Sequence, residues 1–350
     1  MKICLNMIVR NEARVIKRCL SSVKHLIDYW VIVDTGSTDG TQELIRQTLL
    51  DIPGELFERP WVNFGHNRNE ALQLAKEKGD YLLFIDADDY LVFSDDFQMP
   101  RFIKDIYVIV QRDAATQVET QCLLLASSRL SWRWEGVAHE ALVCPEKTSG
   151  ALLGGVVNVY GQDGHRSQNP EKHQQVIDLL LEEQKLHPTD TKSIFYLAET
   201  YRGAKNYREA LAMYRKRAAM GGFAEEIFWS LYSIAKLEEE LGADLFLSES
   251  LYLEAYRERP SRMEPIYDLV LLYRKNNELI KAYELAKTHA STPAPPDLIF
   301  VSRWVYEWGL LWQYALCCQL LGKSEECAKA LDSLGQVPSL PSSLRQFMTK

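Results

Sequence analysis

The stretch Asp80-Tyr-Leu-Leu-Phe-Ile-Asp-Ala-Asp-Asp-Tyr-Leu91 is an apolar run that ends in three carboxylates, Asp86, Asp88 and Asp89. A short apolar run of this kind reads as a buried strand. Ionised carboxylates are costly to bury unpaired. The strand therefore has to open at its C-terminal end into a crevice where the acids meet solvent, a cation or both. Asp86 and Asp88, one residue apart, suit a hard divalent ion such as Mg²⁺ or Mn²⁺, which takes oxygen ligands and keeps places open for phosphate oxygens. Asp-x-Asp pairs are also common in plain acidic turns. Other strand ends have to carry the decision.

A second one reads the same way. Tyr29-Trp-Val-Ile-Val33 is apolar and runs into Asp34-Thr-Gly-Ser-Thr-Asp-Gly-Thr41, then into a helix-forming segment from Gln42 to Leu50. Gly36 and Gly40 permit a tight turn, and Ser37, Thr38 or Asp39 can cap the helix. Strand, glycine turn and helix make half of a βαβ unit, and ligands of open α/β sheets bind beyond the carboxyl ends of the strands. The turn matches neither G-x-G-x-x-G nor G-x-x-x-x-G-K-[ST], which excludes the common dinucleotide and triphosphate loops. Asp34 either caps its own turn or contacts a ribose or base in another kind of nucleotide fold.

Working outward, Ile3–Val9, Trp30–Val33, Tyr81–Ile85, Ile106–Val110, Cys122–Ala126 and Gly150–Tyr160 read as strands. Ala13–Leu26, Thr41–Leu50 and Asn67–Lys78 read as helices, and Asp113–Thr120 as a polar hairpin region. That alternation predicts a parallel or mixed sheet covered by helices. The turn-rich segment Gly161-Gln-Asp-Gly-His-Arg-Ser-Gln-Asn-Pro170 marks a linker. Beyond it the chain reads as helix after helix, punctuated by Pro260, Pro265, Pro293, Pro295 and Pro296. Tyr201 and Tyr273, Arg202 and Arg274, and Ala210 and Ala282 are each 72 residues apart, about twice the ~34-residue tetratricopeptide period. Two domains follow, residues 1–168 and 169–350.

Composition narrows the function. At 350 residues, with 47% hydrophobic and 25% charged residues, the chain has globular values and room for two domains. A net charge of −8 argues against nucleic-acid binding. Arg10, Glu12 and Arg14 interrupt any signal-peptide core, and no apolar run approaches the ~18–20 residues of a membrane span. Seven cysteines without C-x-x-C spacing predict reduced thiols and a cytoplasmic protein.

Four segments in order carry a resemblance: Ile3-Cys-Leu-Asn-Met-Ile-Val-Arg-Asn-Glu12, Val33-Asp-Thr-Gly-Ser-Thr-Asp-Gly-Thr41, Asn67-Arg-Asn-Glu-Ala71 and Phe84-Ile-Asp-Ala-Asp-Asp89. This series resembles the family 2 glycosyltransferases, which have the GT-A fold and transfer sugars from nucleotide sugars. With Trp134-Glu-Gly-Val-Ala-His-Glu140 and the helical second half, the chain looks like the subgroup with tetratricopeptide-like repeats. The resemblance implies an α/β GT-A domain, a Rossmann-like mixed sheet, followed by an all-α repeat domain. It implies metal-assisted, inverting, non-processive transfer from a nucleotide sugar, UDP-linked, to a hydroxyl or thiol of a polypeptide or saccharide. A Gln-x-x-Arg-Trp element, expected of a processive synthase, is missing.

On this resemblance Asp88, with Asp86 in support, is the metal ligand for Mn²⁺ or Mg²⁺, and Asp86 also serves the donor. Glu12 and Asp34 contact the nucleoside, Asp39 either orients Asp34 or bonds the nucleoside itself, and Arg68 adds fixed positive charge. Glu140 is the general base, with Glu119 and Glu135 as rivals. Gln162, Asp163 and His165 compete for a third metal or phosphate contact, His165 being the metal candidate. Two other classes are open: a nucleotidyltransferase, which lacks its basic glycine-rich loop here, and a non-catalytic repeat scaffold on a nucleotide-binding domain. A concave helical half suits acceptor selection. Its acids Glu225, Glu226, Glu238, Glu239 and Glu240 read first as a solvated charged face, and would make a peptide partner, where there is one, basic.

Overall fold

The computed structural model describes residues 1–348 as two compact units. The first comprises Met1–Thr116 and Thr120–Pro188, and the second Gln117–Glu119 and Thr189 onward. The division falls after Pro188, beyond the turn-rich segment 161–170. The helix Lys172–Leu186 thus belongs with the first unit.

The first unit runs β1 (Ile3–Val9), α1 (Ile16–Val23), β2 (Tyr29–Asp34), α2 (Thr41–Thr48), β3 (Gly54–Glu58), α3 (Phe64–Ala75), β4 (Tyr81–Phe84), β5 (Tyr90–Phe93), β6 (Ile106–Asp113), β7 (Glu119–Ser127), β8 (Arg133–Glu135), β9 (Ala141–Val143), β10 (Gly150–Tyr160) and α4 (Lys172–Leu186). Eight strands form one mixed sheet in the order β3-β2-β1-β4-β7-β6-β10-β5. β3, β2, β1 and β4 are parallel, and β7 joins β4 antiparallel. β8 and β9 form a separate antiparallel ribbon.

The central strands are apolar throughout because both faces are covered. Leu5, Met7, Ile32 and Leu83 enter one core with Ile16, Cys19, Leu20 and Val23 of α1. Their alternates Cys4, Val31, Leu82 and Phe84 enter another with Leu72 and Ala75 of α3. Side chains that alternate between two cores are the mark of a parallel sheet sandwiched by helices. The register pairs Val9 with Asp34 and Asn6 with Phe84, so the ends that follow β1, β2 and β4 lie along one edge.

Apart from the segment 117–119 and its bridge to Val301, the second unit is built of helices: α5 (Thr191–Gly203), α6 (Tyr207–Ala219), α7 (Ala224–Glu240), α8 (Leu245–Glu258), α9 (Glu264–Lys275), α10 (Leu279–His289), α11 (Leu310–Leu320), α12 (Ser324–Gly335) and α13 (Ser342–Met348). From α5 to α12 each helix packs on the next, the nearest-neighbour pattern of a repeat array. Ala210 of α6 and Ala282 of α10 are both fully buried, consistent with their equivalence in the 72-residue spacing. Each of the five acids has a partner within the unit. Glu225 accepts the N–H groups of Leu298 and Ile299, and Glu226 and Glu238 pair with Arg217 and Arg215. Glu239 and Glu240 accept from Tyr252 and Tyr207.

One buried network holds the unit together. Arg262, 0% exposed, donates twice to Glu264 at 3.0 Å, and also to Asp297 and to the carbonyls of Ile299 and Phe300. Glu264 in turn accepts from Ser302 N–H (2.9 Å) and the Tyr306 hydroxyl (2.8 Å). Glu264→Ala strands a buried guanidinium, which typically costs about 3–5 kcal/mol. Denaturant unfolding should show the helical unit melting earlier by that amount. A loss under about 1 kcal/mol would mean that Asp297 suffices.

Candidate functional site

The edge beyond β1, β2 and β4 gathers most of the polar motif residues. After β2, Asp34 is 0% exposed, and its Oδ1 accepts Gly36 N–H (2.8 Å) and Ser37 N–H (2.7 Å). Its Oδ2 is buried with no partner among the described residues. Asp34 therefore does cap its turn, and it also presents a spare acceptor. Such an orphan is expensive unless a ligand supplies the donor.

Among the described residues no hydrogen bond joins Asp39 to Asp34. Its oxygens accept Thr41 N–H (3.1 Å), the Thr41 hydroxyl (2.6 Å) and Ala13 N–H (3.0 Å). With Asn11 N–H to Ser37 (2.8 Å) and Thr38 N–H to Asn11 (2.8 Å), these bonds lace the loop after β1 to the loop after β2. Glu12, at the end of the first loop, accepts the backbone N–H of His165 (3.1 Å). Burial, with the charges of Asp88, Asp39 and Asp86, pushes its carboxyl up to about 7 against that hydrogen bond.

The three acids after β4 have different environments. Asp89 is buried and accepts from Asn158 Nδ2 (2.6 Å), Gln111 Nε2 (3.2 Å) and Gly161 N–H (3.0 Å). It ties the turn to β6 and β10. Asp88 is half-buried; burial and the charge of Asp86 raise its carboxyl to about 6. Gly161 and Gly164 close over it. A Cβ on Gly161 would lie 2.0 Å from the Asp88 carbonyl, and one on Gly164 would lie 2.8 Å from Oδ2, so only glycine lets the segment approach.

Asp86 is exposed, and its Oδ1 accepts Arg68 Nη2 at 2.6 Å. The other edge of Arg68, its Nε, pairs with Glu140, whose side chain is 7% exposed. Arg68 also lies 5.1 Å from the centroid of the Trp134 ring. One guanidinium thus joins the strand acid to the acid between β8 and β9.

Its neighbours in α3 explain the Asn67-Arg-Asn motif. Asn67 is fully buried and binds Val62 N–H and the Pro60 carbonyl, fixing the preceding loop. Asn69 exchanges hydrogen bonds with the Trp134 backbone (2.8 and 2.9 Å), docking β8.

The rivals of Glu140 lie elsewhere. Glu119 belongs to the second unit, where Arg303 pairs with it and its backbone bridges Val301. Glu135 is exposed and bonded by Arg133 (2.7 Å). In the segment after β10, Asp163 is gripped by both Nη atoms of Arg18 (2.7 and 2.8 Å), which also donates to the Asp88 carbonyl (2.7 Å). Gln162 donates to Asp113, while His165 is exposed beside Glu12. Sequence reasoning missed Arg18, Asn69, Asp89 as an anchor, and Arg166. Their partners are distant in sequence, and the motif match to Asn67-Arg-Asn is the one signal that pointed toward Asn69.

Among the described residues no three His, Cys, Asp or Glu side chains are arranged as a metal cluster. The donors nonetheless suit an ion completed by substrate. Magnesium commonly takes one or two carboxylates and fills the rest of its shell with water and phosphate oxygens. Asp88, held protonated to unusually high pH beside Asp86, is a carboxylate that gains from a cation.

The mixed sheet with helices on both faces is the architecture of a GT-A domain. Residues 4–137 match the family described as Glycosyl transferase family 2, so the chain carries a family 2 glycosyltransferase domain at its N-terminus, followed by the array of helices. A TPR repeat-containing protein of Synechococcus elongatus is 37% identical over 92 residues, 26% of this chain and 21% of its own. The SPbeta prophage-derived glycosyltransferase SunS of Bacillus subtilis is 35% identical over 88 residues, 25% of this chain and 20% of its own. Each match therefore spans about a fifth of the relative. The solved structure of YrrB, a TPR protein, aligns with a TM-score of 0.33 at 11% identity, covering 47% of this chain and 76% of YrrB.

Proposed function

We propose that the protein is an inverting, metal-dependent, non-processive glycosyltransferase that uses a nucleotide sugar, UDP-linked, as donor. The observation that carries the reading is the convergence of Asp34, Glu12, Asp86, Asp88, Arg68 and Glu140 at one sheet edge. Asp34 accepts a donor hydrogen bond from the nucleoside through its orphaned Oδ2, and Glu12 lines the same pocket. Asp39 acts from behind, fixing the loop that carries Asp34.

Asp88, with Asp86 in support and His165 as third candidate, would hold a divalent ion, Mn²⁺ or Mg²⁺, which would supply charge neutralisation at the diphosphate. Arg68 adds fixed positive charge and holds Glu140 in position. Glu140 takes the proton of the acceptor hydroxyl or thiol as that atom attacks the anomeric carbon on the face opposite the leaving group. The bond to the diphosphate breaks, and its electron pair leaves with the phosphate oxygen. One displacement inverts the anomeric centre.

Thermal shift with UDP, with and without Mn²⁺, tests the binding half of the reading. The melting temperature should rise with UDP and rise further with both, as a ligand that binds only the folded state requires. No shift with UDP or with any other nucleoside diphosphate would favour a scaffold. A narrower prediction concerns Asp34→Asn. The amide can still cap the turn but cannot accept at the second position, so nucleotide affinity should fall by about 1.5–3 kcal/mol without metal. Calorimetry with unchanged affinity would remove Asp34 from the nucleoside.

The helical unit, we infer, selects the acceptor, a polypeptide or a saccharide. A chain ending at Pro188, verified as folded by circular dichroism, should still hydrolyse donor but no longer glycosylate the acceptor. Intact acceptor transfer would give the repeats another task. All seven cysteines are free, which fits a reducing cytoplasm. Among the described residues no helix is long and apolar enough to cross a membrane.

A further inference from the structure

Arg166 is a cation of this edge that lies outside the four segments carrying the family resemblance. It follows His165, whose backbone is held by Glu12, and its guanidinium lies over the Phe64 ring, 4.2 Å from the centroid. Phe64 opens the helix that bears Arg68. The negative charges that Arg166 feels are those of Glu140 and Asp86.

The neighbouring arginines have polar partners. Arg18 grips Asp163, Arg14 donates to Gln168 (2.7 Å), and Arg68 joins Asp86 to Glu140. Arg166 is half-buried, yet its guanidinium donates no hydrogen bond among the described residues. Burial without a partner lowers its pKa from the ordinary arginine range. Five N–H donors withdrawn partly from water and left unmatched are costly, and their planar fork fits an anion with several oxygens. Phe64 fixes the plane of the fork by a cation–π contact.

We propose that Arg166 binds the β-phosphate of the donor and meets the charge of the leaving group. The proposal rests on the transferase reading and deepens it. When the acceptor oxygen bonds to the anomeric carbon and gives its proton to Glu140, the carbon–oxygen bond to the β-phosphate breaks. Its electron pair, and one more unit of negative charge, stay on that phosphate. Arg166 is then a second positive group beside Arg68, placed where the charge develops.

Calorimetry on the full chain tests this with UDP, GDP, CDP, ADP and dTDP, and with the monophosphate of whichever binds best, in EDTA and in Mn²⁺. Arg166→Gln should weaken diphosphate binding about 10–100-fold and monophosphate binding less than about twofold. Arg166→Lys should recover part of the diphosphate affinity. Equal losses for both ligands, or no loss for either, would overturn the role of Arg166 and leave the transferase reading intact. Failure of the wild-type protein to bind any of the five would overturn both.

Discussion

Asp88→Asn should leave a folded protein whose transfer rate falls about 10³-fold or below detection. Stabilisation of the developing charge is usually the largest single contribution to catalysis, and removing one such group commonly costs about 10²–10³-fold. On the proposed reading the change removes the carboxylate that a divalent ion would need most, since Asp86 is already committed to Arg68. Asparagine keeps the shape against which Gly164 packs.

The same substitution should alter how stability depends on pH. The carboxyls of Asp88, Asp89 and Glu12 are raised to about 6, 7 and 7, in each case first by burial. A carboxyl raised in the folded state holds its proton to higher pH than it does in the unfolded chain. Its contribution is therefore full below the ordinary carboxyl pKa of ~4 and is lost as pH climbs through 6 and 7. In EDTA the wild-type melting temperature should fall between pH 4 and 7 through these groups, and Asp88→Asn should fall less. An identical pH profile in the variant would place the titration elsewhere. Retained metal-dependent turnover would remove Asp88 from the chemistry.

Glu140→Gln is expected to slow transfer to acceptor by about 10²–10⁴-fold, with nucleotide affinity kept. Glutamine preserves the size of the side chain and can still accept from Arg68 Nε, so the bridge to Asp86 need not collapse. What it cannot do is take the acceptor's proton. Because release of donor to water depends less on that base than transfer to a bound acceptor, the two rates should separate. Normal transfer by this variant would move the base elsewhere. Glu135 would then be the next acid to test, Glu119 being bound by Arg303 within the helical unit.

The sequence was most legible where periodicity and apolar content act locally. β1 and β10 span the residues expected of them, and α2 begins at Thr41 as expected. α3 starts three residues early, at Phe64, because Asn63 caps it by accepting His66 N–H. Three features escaped. β3 is an edge strand of partly polar residues, Gly54-Glu-Leu-Phe-Glu58, without a buried run to announce it. β5 follows the aspartates so closely that it reads as their tail. The β8–β9 ribbon has three residues per strand, too few to show alternation.

The site divides in a similar way. Acids at strand ends were readable because carboxylates beside apolar runs demand an explanation. Their partners were not, since Arg68 finds Glu140 across 72 residues and Arg18 finds Asp163 across 145. Nor does local sequence distinguish Asp89, which anchors the turn, from Asp88, which is only half-buried; the difference lies in Asn158 and Gln111 on distant strands.

Release of nucleoside diphosphate from a panel of nucleotide sugars, with Mn²⁺ and with EDTA, tests the central claim most directly. The wild-type protein should release diphosphate from at least one donor in Mn²⁺, slowly without acceptor, and far less in EDTA or as Asp88→Asn. No release from any donor, or release equally fast in the variant, would contradict it.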